Sequence, residues 1–188
     1  MPETTPYANW DCTIALSRIH RTGESFEETF SLPLDGPIAH WGQTYAPQGP
    51  LTATIRANYA GERIVVKVSV SARFTLPCSR CLADTGLAIA GDLRYLFTLR
   101  PVREESEEND GADEDGEIDL IPLDSFQGEV DFAPYIWEAL VLHLPEGVLC
   151  AETCKGLCPI CGKDRNETDC DCEEDRTDPR LAVLRELN

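Results

Sequence analysis

No stretch of the sequence is apolar over the ~18–20 residues that a helix needs to cross a bilayer. The longest candidate, around ALVLHLPEGVL, is much shorter. The first twenty residues, MPETTPYANWDCTIALSRIH, have no basic segment leading into an apolar one, so no signal peptide is expected. Histidine is scarce, with three scattered copies at His20, His40 and His143. There is no G-x-S-x-G, no phosphate-binding glycine loop and no H-E-x-x-H. Lysine and arginine are missing altogether between residues 104 and 154. Together these absences argue against a membrane protein and against the common hydrolase and nucleotide-binding classes. The expectation is a cytoplasmic protein that is not an enzyme and takes no small-molecule substrate.

What is present fits one domain, or one domain with a small appendage: 188 residues, of which 42% are hydrophobic. The net charge of −18 is unevenly spread. Residues 56–103 carry +5, whereas residues 104–154 carry −16. The acidity centres on EESEENDGADEDGE, Glu104–Glu117, whose one apolar residue is Ala112. Such a run buries too little to offset its ordering entropy and is expected to form an acidic loop, residues 103–117. The ordinary role of such a run is solubility. Its functional alternative is contact with a basic partner through Glu104, Glu105, Glu107, Glu108, Asp113, Glu114 and Asp115. The basic segment before it keeps RNA contact open, because phosphate attraction follows local patches rather than total charge.

LTATIRAN and RIVVKVSVSARFTL alternate apolar and polar residues, with Ile64, Val66, Val68, Val70 and Ala72 on one face. That period of two predicts strands, with YAGE (Tyr59–Glu62) as the turn between them. TGLAIAGDLRYLFTLR supplies one or two strands more, and EIDLIPL a short one. DFAPYIWEALVLHLP predicts a helix, with Asp131 as its N-cap, Pro134 in its first turn and Pro145 at its stop. A helix so apolar should pack on the sheet, which makes His143 a core-edge residue rather than a ligand. DPRLAVLREL (Asp178–Leu187) predicts a short terminal helix with Leu181, Leu184 and Leu187 as its stripe. The fold class is therefore α+β: an antiparallel sheet meander packed by one apolar helix, with a Cys-rich, zinc-knuckle-like C-terminal appendage. Residues 1–50 are read as a segment packed on the sheet, 51–149 as sheet plus helix, and 150–188 as the appendage.

Nine cysteines in a reducing compartment suggest metal ligands or redox groups rather than disulfides. Cys12, alone in an apolar-rich stretch, is read as a small buried hydrophobe. Cys158, Cys161, Cys170 and Cys172 make C-x2-C-x8-C-x-C, and CPICG reads as a zinc knuckle. Two thiols on one tight loop converge on a metal, and Gly162 permits the close backbone approach. These four are the first choice for a structural zinc. Cys78 and Cys81 (LPCSRCL) with Cys150 and Cys154 (CAETC) form a possible second site, since both pairs end hydrophobic segments. Mixed sets, such as Cys78 and Cys81 with Cys158 and Cys161, compete with it. The rival reading is a thiol redox protein, or a redox-controlled chaperone, using the C-x-x-C pairs. Against it, PCSRCL joins two strands rather than opening a helix in a βαβ unit.

LPCSRCL (Leu76–Leu82), GEIDL (Gly116–Leu120), ALVLHLP (Ala139–Pro145), CKGLCPICG (Cys154–Gly162) and DPRLAVL (Asp178–Leu184) occur in an order that resembles the YceD family. These are bacterial and plastid proteins of large ribosomal RNA subunit accumulation. The resemblance runs from about Thr52 to the C-terminus. It implies a role in accumulation or maturation of large-subunit ribosomal RNA, and zinc as support rather than as the active principle. It also implies a partner, either precursor RNA or a basic zinc-ribbon ribosomal protein. Arg56, Lys67, Arg73 and Arg94 are the candidates for RNA, and the acidic run is the candidate for the protein. The sequence departs from the family pattern after CPICG, where Asp164–Arg165–Asn166 keeps only part of an expected asparagine-leucine-asparagine run.

Overall fold

The structure, a computed structural model, describes residues 6–20, 25–60, 63–99 and 119–172. Within them the chain forms β1 (Thr13–Ala15), α1 (Leu16–His20), β2 (Phe26–Leu32), β3 (Ile38–His40), β4 (Gln43–Pro47), β5 (Leu51–Ala60), β6 (Arg63–Pro77), β7 (Asp84–Leu99), β8 (Asp119–Leu123), β9 (Glu129–Asp131) and α2 (Ala133–Leu142). Two compact units result: Met1–Thr75 with Gly86–Glu146, and Leu76–Thr85 with Gly147–Asn188. The acidic run 103–117 and the terminal stretch Asp178–Leu187 lie outside the described residues.

In the first unit, β6 is the organising strand. Ile64, Val66, Val68, Val70, Ala72 and Phe74 are all buried, as the period-two pattern predicts for a half-covered sheet. β5 pairs antiparallel with β6 from Ala60↔Arg63 to Thr52↔Ser71. β4 then takes over the same edge at Ala46↔Thr75 and Pro47↔Phe74, after a turn through Gly49 at φ +120°. β2 pairs antiparallel with β5, from Phe26↔Ala57 to Leu32↔Leu51. FEETFSL therefore supplies an outer strand from within the first fifty residues. β7 flanks β6 on its other side, and the stretch read as one or two strands is a single strand of 16 residues.

One pairing departs from the antiparallel meander. β8 runs parallel to β7, from Tyr95↔Asp119 to Leu99↔Leu123. A parallel neighbour cannot be reached by a two-residue hairpin, because the chain must first return along the strand; residues 100–118, which join β7 to β8 in the sequence, lie outside the described residues. Separately, β1 pairs antiparallel with β9 through Thr13↔Asp131 and Ala15↔Glu129.

α2 buries Ala133, Ile136, Ala139 and Leu140. It begins after Phe132, and the Asp131 carboxylate accepts the Ala133 N–H at 2.9 Å. Phe132 and Tyr135 meet Phe97 of β7 with ring centroids at 5.9 and 5.6 Å, edge-on, which ties helix to sheet. His143 ends the helix, its Nδ1 donating to the Ala139 carbonyl at 2.7 Å. Cys12 is fully buried, and burial pushes its thiol up to about 11. Tyr45, also fully buried, donates its hydroxyl to the Pro145 carbonyl. Tyr45→Phe leaves that carbonyl without its partner and should cost about 1–3 kcal/mol, read as a lower urea midpoint with unchanged m-value.

Candidate functional site

The second unit holds eight of the nine cysteines, and its local backbone explains how. In LPCSRCL, Cys78 N–H donates to the Ala83 carbonyl at 2.8 Å and Leu82 N–H to the Cys78 carbonyl at 3.0 Å. CPICGK repeats the pattern: Cys158 N–H to the Lys163 carbonyl at 2.8 Å, and Gly162 N–H to the Cys158 carbonyl at 2.8 Å. Each loop needs a left-handed residue directly after its second cysteine. Gly162 meets that need at φ +72° without strain, whereas Leu82 adopts φ 64° and leaves its side chain 64% exposed. The two tight loops are thus the same device built twice.

The sulfurs of Cys78, Cys81, Cys150 and Cys154 lie within 4.8 Å of one another, as do those of Cys158, Cys161, Cys170 and Cys172. The mixed set of Cys78, Cys81, Cys158 and Cys161 is not formed. Within the first group, Cys78 and Cys154 are 3.8 Å apart and Cys81 and Cys150 are 3.6 Å apart. A disulfide would require ~2.05 Å. Four sulfurs each ~2.3 Å from a zinc ion at the centre of a tetrahedron stand ~3.8 Å apart, so the spacing fits four-thiolate coordination.

The electrostatics fit a cation as well. Cys78 is pulled down to about 6 by the backbone N–H groups of Cys81, Arg80 and Cys150. The last two donate to its Sγ at 3.4 Å each. Cys158 is likewise lowered to about 6 by the N–H groups of Cys161 and Ile160. Cys150, facing the Cys81 sulfur, is pushed up to about 12, and Cys172, facing the Cys161 sulfur, also to about 12. Four thiols this close cannot all ionise unless a cation neutralises them, and a thiophilic divalent metal does so. A metal held by all four thiolates of a group would have no position left for a further ligand.

Around the first group, Arg80 Nη1 donates to the Cys154 carbonyl at 2.9 Å, and Leu157 N–H donates to the Arg80 carbonyl at 3.0 Å. Gly156, at φ +72°, packs against that carbonyl so closely that a Cβ would stand 3.0 Å from its oxygen. Asn166 Nδ2 donates to Cys154 Sγ at 3.4 Å.

The candidates for RNA lie on the open face of the first unit's sheet. Arg56 and Lys67 are direct cross-strand partners. Each is also paired with a carboxylate: Arg56 with Glu27 at 2.7 Å and Lys67 with Asp92 at 3.1 Å. Arg73 and Arg94 are exposed, and their side chains have no carboxylate partner among the described residues. The acidic candidates Glu104 to Asp115 fall outside those residues. Sequence reasoning did not single out Asn166 as an outer contact of a cysteine group, although it lies in the run that keeps only part of the family pattern. No helix among the described residues is long and apolar enough to cross a membrane.

Comparison with known proteins places these features in context. The family described as "Large ribosomal RNA subunit accumulation protein YceD" matches residues 66–188. A chloroplast protein of Arabidopsis thaliana, named large ribosomal RNA subunit accumulation protein YCED homolog 1, is 32% identical over 130 residues. That alignment covers 60% of this chain and 40% of the Arabidopsis protein. The maize protein of the same name is 27% identical over 146 residues, 68% of this chain and 50% of its own length. The protein YlbN of Bacillus subtilis is 26% identical over 139 residues, 73% of this chain and 74% of YlbN. The chain thus spans half or less of the two plant relatives. No solved structure matches. Since the family match takes in both cysteine-bearing loops and the whole of β7, β8 and α2, the chain belongs to the YceD family.

Proposed function

We propose that this protein promotes the accumulation of large-subunit ribosomal RNA as a non-enzymatic assembly factor in the cytoplasm, with zinc as structural support in its four-cysteine groups. The observation that carries the role is the family match over residues 66–188, together with the names of the plant relatives. The donor set supports the zinc: eight thiols, sorted four and four, at separations suited to tetrahedral coordination. The same sorting weighs against a redox protein, which needs one exposed reactive pair rather than two closed sets.

Of the two partner classes, a basic ribosomal protein held by residues 104–117 is favoured over precursor RNA held by the sheet. Two of the four basic candidates, Arg56 and Lys67, are already paired with Glu27 and Asp92, which lowers the positive field an RNA backbone would meet. The −16 segment keeps its charge undiluted by any lysine or arginine.

Sedimentation of a cell lysate through sucrose at low and moderate salt tests the role. Co-migration with large-subunit precursors, and absence from mature ribosomes, is the expected result. Failure to enter any particle, with no change in large-subunit RNA on depletion, would defeat it. Two variants divide the partner classes. Deleting residues 104–116 should release the partner, whereas charge reversal at Arg73 and Arg94 should leave retention unchanged. The opposite pattern would transfer the contact to RNA on the sheet.

A further inference from the structure

We propose that the two four-cysteine groups form one coupled two-ion unit, in which Asn166, carried on the second group's loop, is a positioning residue for the metal of the first. The inference rests on the reading that the groups hold zinc, and goes beyond it by giving the pair a stoichiometry and a connection.

Asn166 lies in the chain between Cys161 and Cys170, yet its side chain serves the other group. Its Oδ1 accepts the Lys155 N–H at 2.8 Å. A backbone N–H can only donate, so this bond fixes which end of the amide is oxygen. The nitrogen end then carries two hydrogens to two acceptors, the Asp164 carboxylate at 2.7 Å and Cys154 Sγ at 3.4 Å. Asp164 Oδ1 in turn accepts the Asn166 N–H at 2.8 Å, so the side chain is held from three sides. A thiolate that accepts an N–H bond is less basic and holds its metal in a set direction. Asn166 therefore orients a ligand of the first ion from within the loop that folds around the second.

Arg80 makes the reciprocal link. Its N–H donates to Cys78 Sγ, its guanidinium holds the Cys154 carbonyl, and its own carbonyl receives the Leu157 N–H immediately before Cys158. Arg165 N–H completes the seam by donating to the Gly156 carbonyl at 3.0 Å. Chain separation sets the order of assembly. The sulfur pairs of the first group join residues 76 and 69 positions apart, whereas the second lies within Cys158–Cys172. Closing the shorter loop costs less entropy, so the second group closes first and presents Asn166 and Leu157 to the first.

The full-length protein loaded with 113Cd is expected to bind two ions and show two resonances, one of them coupled to the Cys154 β-protons. Asn166→Ala should move that resonance and leave the other in place. In the zinc-loaded protein the same variant should speed chelator-driven release of one ion about tenfold or more, the range found when outer contacts of a metal ligand are lost. Asn166→Asp keeps the size of the side chain, removes the donor and sets a second carboxylate beside Asp164 and the thiolate. It should speed release further. If wild type binds two ions and neither variant changes one resonance selectively, the coupling is wrong and the zinc reading stands. If wild type binds no metal, both fall.

Discussion

With zinc held in the four-cysteine groups as proposed, treating the full-length protein with a chelator is expected to unfold the second unit while the sheet of the first stays folded. The reason is the composition of the second unit's interior. Its buried hydrophobic cluster consists of Cys78, Cys81 and Cys154, with Leu157 packed against them. The groups that would bind metal are also the groups that make up the core, so little apolar burial is left once the metal goes. Structural zinc in small cysteine sites contributes an apparent ~10–16 kcal/mol, as much as the whole stability of an ordinary domain. Hydrogen exchange gives the readout. The amides of Leu157, Cys158 and Gly162, all bonded within the loops, should lose protection on chelation, whereas those of Val66, Val68 and Ile136 should keep theirs. Retained protection at Cys158 and Gly162 would show that the thiols hold their loops without metal.

A second large effect is expected at Gly91, in the middle of β7. A Cβ built there would stand 1.9 Å from His143 Cδ2 and 2.2 Å from its Nε2, well inside contact distance. The imidazole cannot move aside freely, because Nδ1 is bonded to the Ala139 carbonyl at 2.7 Å. Gly91→Ala should therefore destabilise the first unit by about 2–3 kcal/mol, the upper part of the range for overpacking. The double variant Gly91→Ala with His143→Ala separates this clash from the ordinary effect of a strand substitution. With the ring gone the methyl has room, and the coupling should recover most of the loss. Additive effects in the urea midpoints would mean that the two positions do not press on each other. The result would also define His143 as a residue shaped by packing, as its place at the core edge suggests.

Much of this architecture can be read from local pattern, because the pattern has a local cause. The run from Ile64 to Ala72 alternates since one face of β6 is buried, and the apolar stretch after Asp131 is helical with Ala133, Ile136, Ala139 and Leu140 buried at helical spacing. The cysteine pairs announce themselves through spacing, because two thiols a few residues apart can be turned inward to one metal by a tight loop. Which pair joins which is a different matter. Cys78 and Cys150 are brought together by the course of the intervening chain, and nothing near either residue encodes that course. The parallel pairing of β8 is hidden for the same reason: DLIPL looks alike whichever way its neighbour runs. FEETFSL alternates well enough to be a strand, but its first role is to cover β5, which only the assembled sheet reveals. Asn166 escapes notice because its partner belongs to the other cysteine group, and an isolated asparagine in a polar loop has no periodicity to betray it.

The parallel register of β7 and β8 also sets a tether length. Asp119 stands beside Tyr95 and not beside Leu99, so the chain leaving Leu99 must travel back four residues and across one strand spacing before β8 can start. That is a gap of about 14 Å at ~3.3 Å per residue along the strand and ~4.8 Å between strands. Removing residues 104–116 leaves six residues between Leu99 and Asp119, and their seven Cα-to-Cα steps reach about 23 Å when extended. The span therefore stays bridgeable with slack to round the strand end. The sheet asks for only a short strap at this point. Bridging β7 to β8 therefore makes no demand on residues 104–116, which carry nearly all of the negative charge of the connection.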